Sequence, residues 1–301
     1  MTWIAAAILS AAIGGVVAIL DSHLISRRMP SLRALLLVAG TLNLGFGLIT
    51  LVIVPLVEEV STTALVVAFA SGVIRSGGIL LMLMTMRSAE ISRIMPVVHT
   101  FPIFVAILAV PLLGEALSFI QWLAILVTVA GAVFISVSRG PAGQGVRLHK
   151  SFSLLMGSSL LLGLANIASK YALDHVSFWN MYGINATSIG TIFLLISLRP
   201  RIMKELKEME KRGQALALVG LNTCVVLAAS TLFFWAIEHG SVSLVSTVVG
   251  IRPCFVFIYA FFFSRVFPAV LEERLSTGII ITKIISIALI VGGVTLLSLS
   301  R

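Results

Sequence analysis

Two short stretches of this chain place an ionisable side chain beside a proline inside a long apolar run. The first is Val97-Val98-His99-Thr100-Phe101-Pro102, and 151 residues later it is echoed by Val248-Val249-Gly250-Ile251-Arg252-Pro253. A third charge, Arg75, lies midway along the apolar run from Ala64 to Met86. A cation at the centre of a bilayer costs about 2.5 to 3.5 kcal/mol on insertion scales, so each must face water, a partner or a ligand. A guanidinium binds carboxylate or phosphate through two parallel hydrogen bonds, and an imidazole titrates near neutrality. Arg75 and Arg252 are therefore candidate anion contacts, and His99 is a candidate substrate contact and proton carrier. Asn222, Trp235 and Tyr259 complete the set of candidate substrate-binding residues. Each charge also has a plainer reading, with the arginines satisfying backbone carbonyls and the histidine a packing residue.

The elements that position these residues follow from composition. The chain has 301 residues, 59% hydrophobic and 11% charged, with mean hydropathy +1.12. Soluble domains carry about 25% charged residues, so this is a polytopic membrane protein. Apolar runs of about 20 residues, enough to cross a hydrocarbon core of about 30 Å, predict ten spans. They are Trp3 to Leu20, Arg33 to Val54, Ala64 to Met86, Ile91 to Leu112, Phe119 to Ser138, Phe152 to Ala172, Ser177 to Leu198, Gln214 to Ile237, Val242 to Ser264 and Thr277 to Leu299. The first span lacks a basic leader and is read as a retained helix. Cys224 and Cys254 fall within spans and read as small buried hydrophobes.

Seventeen of the 21 Lys and Arg residues fall in or beside odd-numbered connections, against Arg301 alone on the even face. The even connections carry Glu58, Glu59, Glu115, Asp174 and Glu238, while Trp3, Trp122, Trp179 and Trp235 mark that face as an interfacial belt. This bias predicts cytoplasmic odd loops, with both termini outside. The net charge of +9 is thereby a statement about topology, and nucleic-acid binding is not expected. In connection seven, Arg201 to Arg212, opposite charges recur at i and i+4, as in Arg201 with Glu205, Lys204 with Glu208 and Glu208 with Arg212, which predicts a short surface helix. Lys170 and Asp174 have the same spacing and read as a helix-end ion pair.

Residues 139–151 contain Gly140, Pro141, Gly143 and Gly145 and read as a linker between two five-helix units, 1–138 and 152–301. An odd helix number inverts the second unit, a transporter signature with the site near the midplane between the halves. The echo continues in Ala116-Leu117-Ser118 after Glu115, matched by Arg274-Leu275-Ser276 after Glu273, with about six extra residues around Phe261 to Leu271.

The turn Leu113-Gly114-Glu115-Ala116-Leu117-Ser118, set between the apolar run from Phe104 and the ending Val129-Ala130-Gly131-Ala132-Val133, resembles the EamA family of the drug/metabolite transporter superfamily. Pro253 to Val294 repeats the pattern, with Glu272-Glu273 in place of Gly-Glu. The resemblance implies a ten-helix carrier of two inverted repeats, with a central cavity lined mainly by spans three, four, eight and nine, moving a small solute by alternating access. It also implies cytoplasmic termini, the reverse of the charge count.

Enzyme and metal constellations such as H-E-x-x-H, G-x-S-x-G and the phosphate-cradling loop are absent, so neither catalysis nor a cofactor is expected. An acid on the first helix is set aside, since Trp3 to Leu20 has none and Asp21 lies at its edge. The reading is an all-α integral protein of the cell membrane, a secondary transporter of a small polar, anionic metabolite with protons as a candidate coupling ion. Alternatives are an exporter of amino acids or neutral drug-like solutes, favoured by an apolar, aromatic cavity around Phe101, Trp235 and Tyr259; a lipid-linked-sugar flippase, favoured by a lateral opening; and a scaffold with a filled centre.

Overall fold

The computed structural model describes residues 2–56, 60–86, 91–137, 145–266 and 277–299, and all the regular elements among them are helices. These are α1 (Trp3–His23), prolonged by a π-helical turn over Leu24–Arg28, α2 (Leu32–Ile53), α3 (Thr62–Thr85), α4 (Ile91–Val98), α5 (Phe101–Leu113), α6 (Phe119–Val137), α7 (Gly145–Leu173), α8 (Phe178–Ser197), α9 (Pro200–Lys207), α10 (Arg212–His239), α11 (Val242–Val249), α12 (Arg252–Val266) and α13 (Thr277–Leu299). Among the described residues, seven helical spans are long and apolar enough to cross a membrane, or eight if α8 and α9, bent by 92°, count as one. The chain is thus a multi-pass membrane protein. Shorter apolar stretches occupy Phe119–Gly131 and Ala288–Leu297.

Helix starts carry their own caps. The hydroxyls of Thr2, Ser31, Ser61 and Ser177 accept from amides three residues on, satisfying donors that no earlier turn can serve. The Leu113 to Ser118 turn has three separate devices. Gly114 ends α5 at φ 67°, a left-handed conformation that favours glycine. Ser118 and Gln121 exchange bonds of 2.9 and 3.3 Å at the start of α6, a capping box. The Glu115 carboxylate accepts from the amides of Val242 at 2.6 Å and Ser243 at 3.3 Å. Glu115 thus caps α11, from the other half of the chain.

The fourth and ninth apolar runs are each broken in two, at the same register of the echo: Val98 and Val249 end α4 and α11, and Phe101 and Arg252 begin α5 and α12. The hydrogen bonds repeat as well. His99 N–H bonds Met95 at 2.9 Å, as Gly250 bonds Ser246 at 2.9 Å, and Thr100 and Ile251 each make a tighter i−3 bond of 3.2 Å to Val97 and Val248. Pro102 and Pro253, second in the new helices, cannot donate to the preceding turn, which is why the ladder restarts there.

In the packing, α1 lies against α10 and α3 against α7, while α2 pairs with α8 and α6 with α13. The broken segments cross, α5 against α11 and α4 against α12. The α2–α8 seam is close because it is built on glycine. A Cβ at Gly190 would sit 2.8 Å from the Gly40 carbonyl oxygen and 2.8 Å from Leu44 Cα, so the backbones meet directly.

Several sequence expectations shift. The first helix continues past Leu20 through Asp21 to His23 and then into the π-helical turn, because no breaker occurs before Pro30. Helix α7 starts at Gly145, so residues 145–151 belong to a helix, the glycine and proline signals ending there. Helix α9 ends at Lys207, so the i,i+4 pairs Arg201–Glu205 (3.3 Å) and Lys204–Glu208 (3.7 Å) form, whereas Glu208 and Arg212 fall on either side of the break before α10. Lys283, counted with connection nine, lies within α13. Glu58, Glu59, the linker up to 144, Glu272, Glu273 and Arg301 lie outside the described residues.

Candidate functional site

A cavity of about 230 Å³ lies among α1, α2, α3, the α4–α5 break, α7, α8, α10 and the α11–α12 break. It draws on more helices than the four spans implied by the family pattern. Arg75, His99, Asn222 and Arg252, four of the six residues singled out from sequence, line it together. The other two do not. Trp235 stacks on His239 at 4.2 Å near the end of α10, and Tyr259 packs against Gly15 of α1 and Phe255. Both fill helix contacts, where aromatic area is worth most.

Arg75 projects from α3 with Nη2 donating to Ser169 Oγ on α7 at 3.0 Å. Its guanidinium carbon lies 5.6 and 5.2 Å from the ring centres of Phe233 and Phe234 on α10, cation–π contacts that hold a charge without consuming its N–H donors. Arg252, opening α12, lies over Gly14 of α1, where a Cβ would come within 2.5 Å of the guanidinium carbon. The Nε atoms of both arginines are buried with no hydrogen-bond partner. Among the described residues neither guanidinium has a carboxylate at ion-pair distance. Buried unpaired donors are costly, so two sets aimed at one space favour an acceptor there.

His99 stands at the α4–α5 break, 3% exposed, with Nδ1 unpartnered and its ring 5.4 Å from Phe101. The helix break gives the ring its place, because its neighbour Thr100 turns back to the Val97 carbonyl at 2.8 Å and reaches Ser159 on α7 at 2.9 Å. Of the other asparagines in the helices, Asn180 donates to the Pro55 carbonyl beyond the end of α2 and Asn185 to Ser71 on α3. Asn43 bonds its own helix, and the carbonyl oxygen of Asn166, on the cavity wall, has no partner. Lys170 and Asp174 pair at 3.1 Å away from the cavity.

Sequence reasoning missed Asp21. It lines the cavity on the same face of α1 as Val17 and Gly14, four and seven residues before it, spacings that bring side chains into one row. Asn222 Nδ2 on α10 donates to its Oδ1 at 2.7 Å, and it lies within electrostatic reach of Arg252. The signal was available, since nothing between Leu20 and Pro30 stops a helix. The expectation that the first helix carries no acid is corrected accordingly.

Beyond Asn185, the cavity ends at Tyr182, whose Oη donates to the Leu227 carbonyl at 2.7 Å and whose ring meets Phe46 and Phe234 at 5.5 and 5.9 Å. At its other end lie Leu35, Leu36, Met82, Leu83 and Phe193, close to the helix ends that carry the basic connections. Among the described residues no group of three or more His, Cys, Asp or Glu is placed to hold a metal ion.

Residues 1–137 match the model of the EamA-like transporter family. A protein of known crystal structure shares the fold, with a TM-score of 0.66 at 15% identity over 99% of this chain and 95% of that one. No curated protein matches the sequence.

Proposed function

We propose, from the match of residues 1–137 to the model of the EamA-like transporter family, that the whole chain is a secondary transporter of a small anionic metabolite working by alternating access. The observation that carries the substrate charge is the convergence of Arg75 and Arg252, with unpartnered Nε donors, on one cavity. A carboxylate or phosphate is the ligand that two guanidinium forks fit. The architecture proposed is ten spans in two inverted repeats. Its support is the packing: exchanging spans one to five with six to ten turns the α1–α10 contact into α7–α3 and α5–α11 into α12–α4, all of which occur, and leaves α2–α8 and α6–α13 as self-pairs. The breaks at His99 and Gly250 then face each other across the pseudo-axis, where such carriers bind solute, and a Cβ on Gly250 would lie 3.3 Å from Pro102.

Trp235 and Tyr259, two of the three aromatic residues around which a cavity for neutral drug-like solutes was expected, do not line it, which speaks against that carrier, and its volume speaks against a filled scaffold. His99 is proposed as the proton site, on the strength of its unpartnered Nδ1 at the wall. The test uses three compounds on one skeleton, neutral glutaramide, monoanionic glutaramate and dianionic glutarate, with purified full-length protein. Arg75→Gln and Arg252→Gln should each weaken binding of whichever anion the wild type holds by about 1 kcal/mol or more, the scale of a charge-assisted hydrogen bond, and leave glutaramide unaffected. Wild-type anion affinity in both variants, with lowered melting temperatures, makes the arginines structural.

A further inference from the structure

We propose that Asp21 is a specificity-determining residue that sets the fixed charge of the cavity at plus one, so that the site takes a monovalent anion in preference to a dianion. The ligand class is a monocarboxylate, a monoanionic ester of phosphate, or a zwitterion with one net negative charge. The proposal rests on the reading that Arg75 and Arg252 hold the anion.

The carboxylate is held in place by a neighbour from the other half. Asn222 reaches it across the α1–α10 contact with an N–H donor at 2.7 Å, and a donated hydrogen bond favours the ionised carboxylate. The other end of that amide, Oδ1, is buried without a partner, so the amide is committed with its donor towards Asp21. Arg252 lies within electrostatic reach, yet Asp21 does not sit at ion-pair distance from it. This separation is the central feature. Asp21 cancels one positive charge over the volume of the cavity and leaves the guanidinium N–H groups of Arg252 free for a ligand, Nε among them. With the imidazole of His99 uncharged, two guanidiniums and one carboxylate leave one positive charge.

Net charge decides the ligand because the loaded site must stay within the membrane while the two halves rearrange. Before the coupled proton binds at His99, a monoanion brings the loaded cavity to neutrality, whereas a dianion leaves an uncompensated negative charge at depth, the kind of arrangement membrane interiors penalise. Asp21 and Asn222 come from opposite halves of the chain, as do Arg75 and Arg252, so the charge balance is assembled only where the halves meet.

The experiment measures stabilisation of the full-length protein in detergent by glutaramide, glutaramate and glutarate at mildly alkaline pH, for wild type, Asp21→Asn and Asp21→Glu. Wild type should bind glutaramate about tenfold or more tighter than glutarate. Asp21→Asn, which keeps the shape beside Asn222, should move that ratio at least about tenfold towards glutarate, and Asp21→Glu should keep the wild-type order. Should Asp21→Asn not fold, Asn222→Asp adds a second carboxylate at the same spot and should shift preference from glutaramate to neutral glutaramide. A wild type that prefers glutarate, or a ratio unmoved by these variants, overturns the role of Asp21 while leaving the anion site standing. Binding of glutaramide alone, or of none of the three, overturns the anion site itself and this proposal with it.

Discussion

Replacing Gly14 by alanine tests Arg252 without touching its charge. The new Cβ would lie 2.5 Å from the Arg252 guanidinium carbon and 2.7 Å from Nη2, whereas non-bonded carbons approach to about 3.5 Å. The guanidinium must therefore retreat by roughly 1 Å. A charge-assisted hydrogen bond spans about 2.7 to 2.9 Å, so a shift of that size removes it. Losing one such bond costs about 1.5 to 3 kcal/mol, or roughly 10- to 150-fold in anion affinity. Stability should hold, because the displaced atoms end a flexible side chain and alanine is the better helix former by about 0.5 to 1 kcal/mol. Titrating glutaramate against wild type and Gly14→Ala, with melting temperatures in parallel, reads both quantities. Unchanged affinity at unchanged melting temperature refutes the placement of Arg252 as a ligand contact.

Other expectations are spread over the molecule. His99→Gln should abolish acceleration of uptake by an imposed pH gradient in proteoliposomes while solute exchange persists; gradient-driven uptake at the wild-type rate returns His99 to packing. Glu115→Ala strips two amides of α11 of their acceptor and should lower stability by about 0.5 to 2 kcal/mol in thermal melts, with glutaramate affinity little changed. Gly190→Ala forces the α2 and α8 backbones apart and should cost about 1 to 3 kcal/mol on the same assay; a neutral result would mean the seam is looser than its geometry. A C-terminal reporter should be found outside the cell if the basic connections decide orientation. A cytoplasmic C-terminus would show that the family's orientation overrides the charge bias.

Much of the architecture was legible because membrane helices must satisfy their own backbone and announce themselves as apolar runs. The echo around His99 and Arg252 set a proline in each of the two runs that break, but those runs were read as continuous spans, and Pro96 and Pro111 sit inside helices, so proline alone did not mark the breaks. Arg75, Arg252, His99 and Asn222 were recognisable by their cost at membrane depth. Trp235 and Tyr259 stand outside the cavity, the one stacked on His239 and the other against Gly15; aromatic side chains serve packing and binding equally well, and their type does not say which. Asp21 was lost through a boundary: ending the first helix at the last apolar residue put a cavity acid in a loop. The partner of Glu115 was beyond sequence reasoning, because a cap joining residues 115 and 242 is a property of the assembled halves.

The central claim is that two arginines from opposite halves grip one ligand, and a double-mutant cycle on glutaramate binding tests it directly. Arg75→Gln, Arg252→Gln and the double variant should each fold, and the two losses should fall short of additive in the double variant by about 0.5 kcal/mol or more, as for groups sharing a partner. Strictly additive losses, or no loss in either single variant, would contradict a shared anion site.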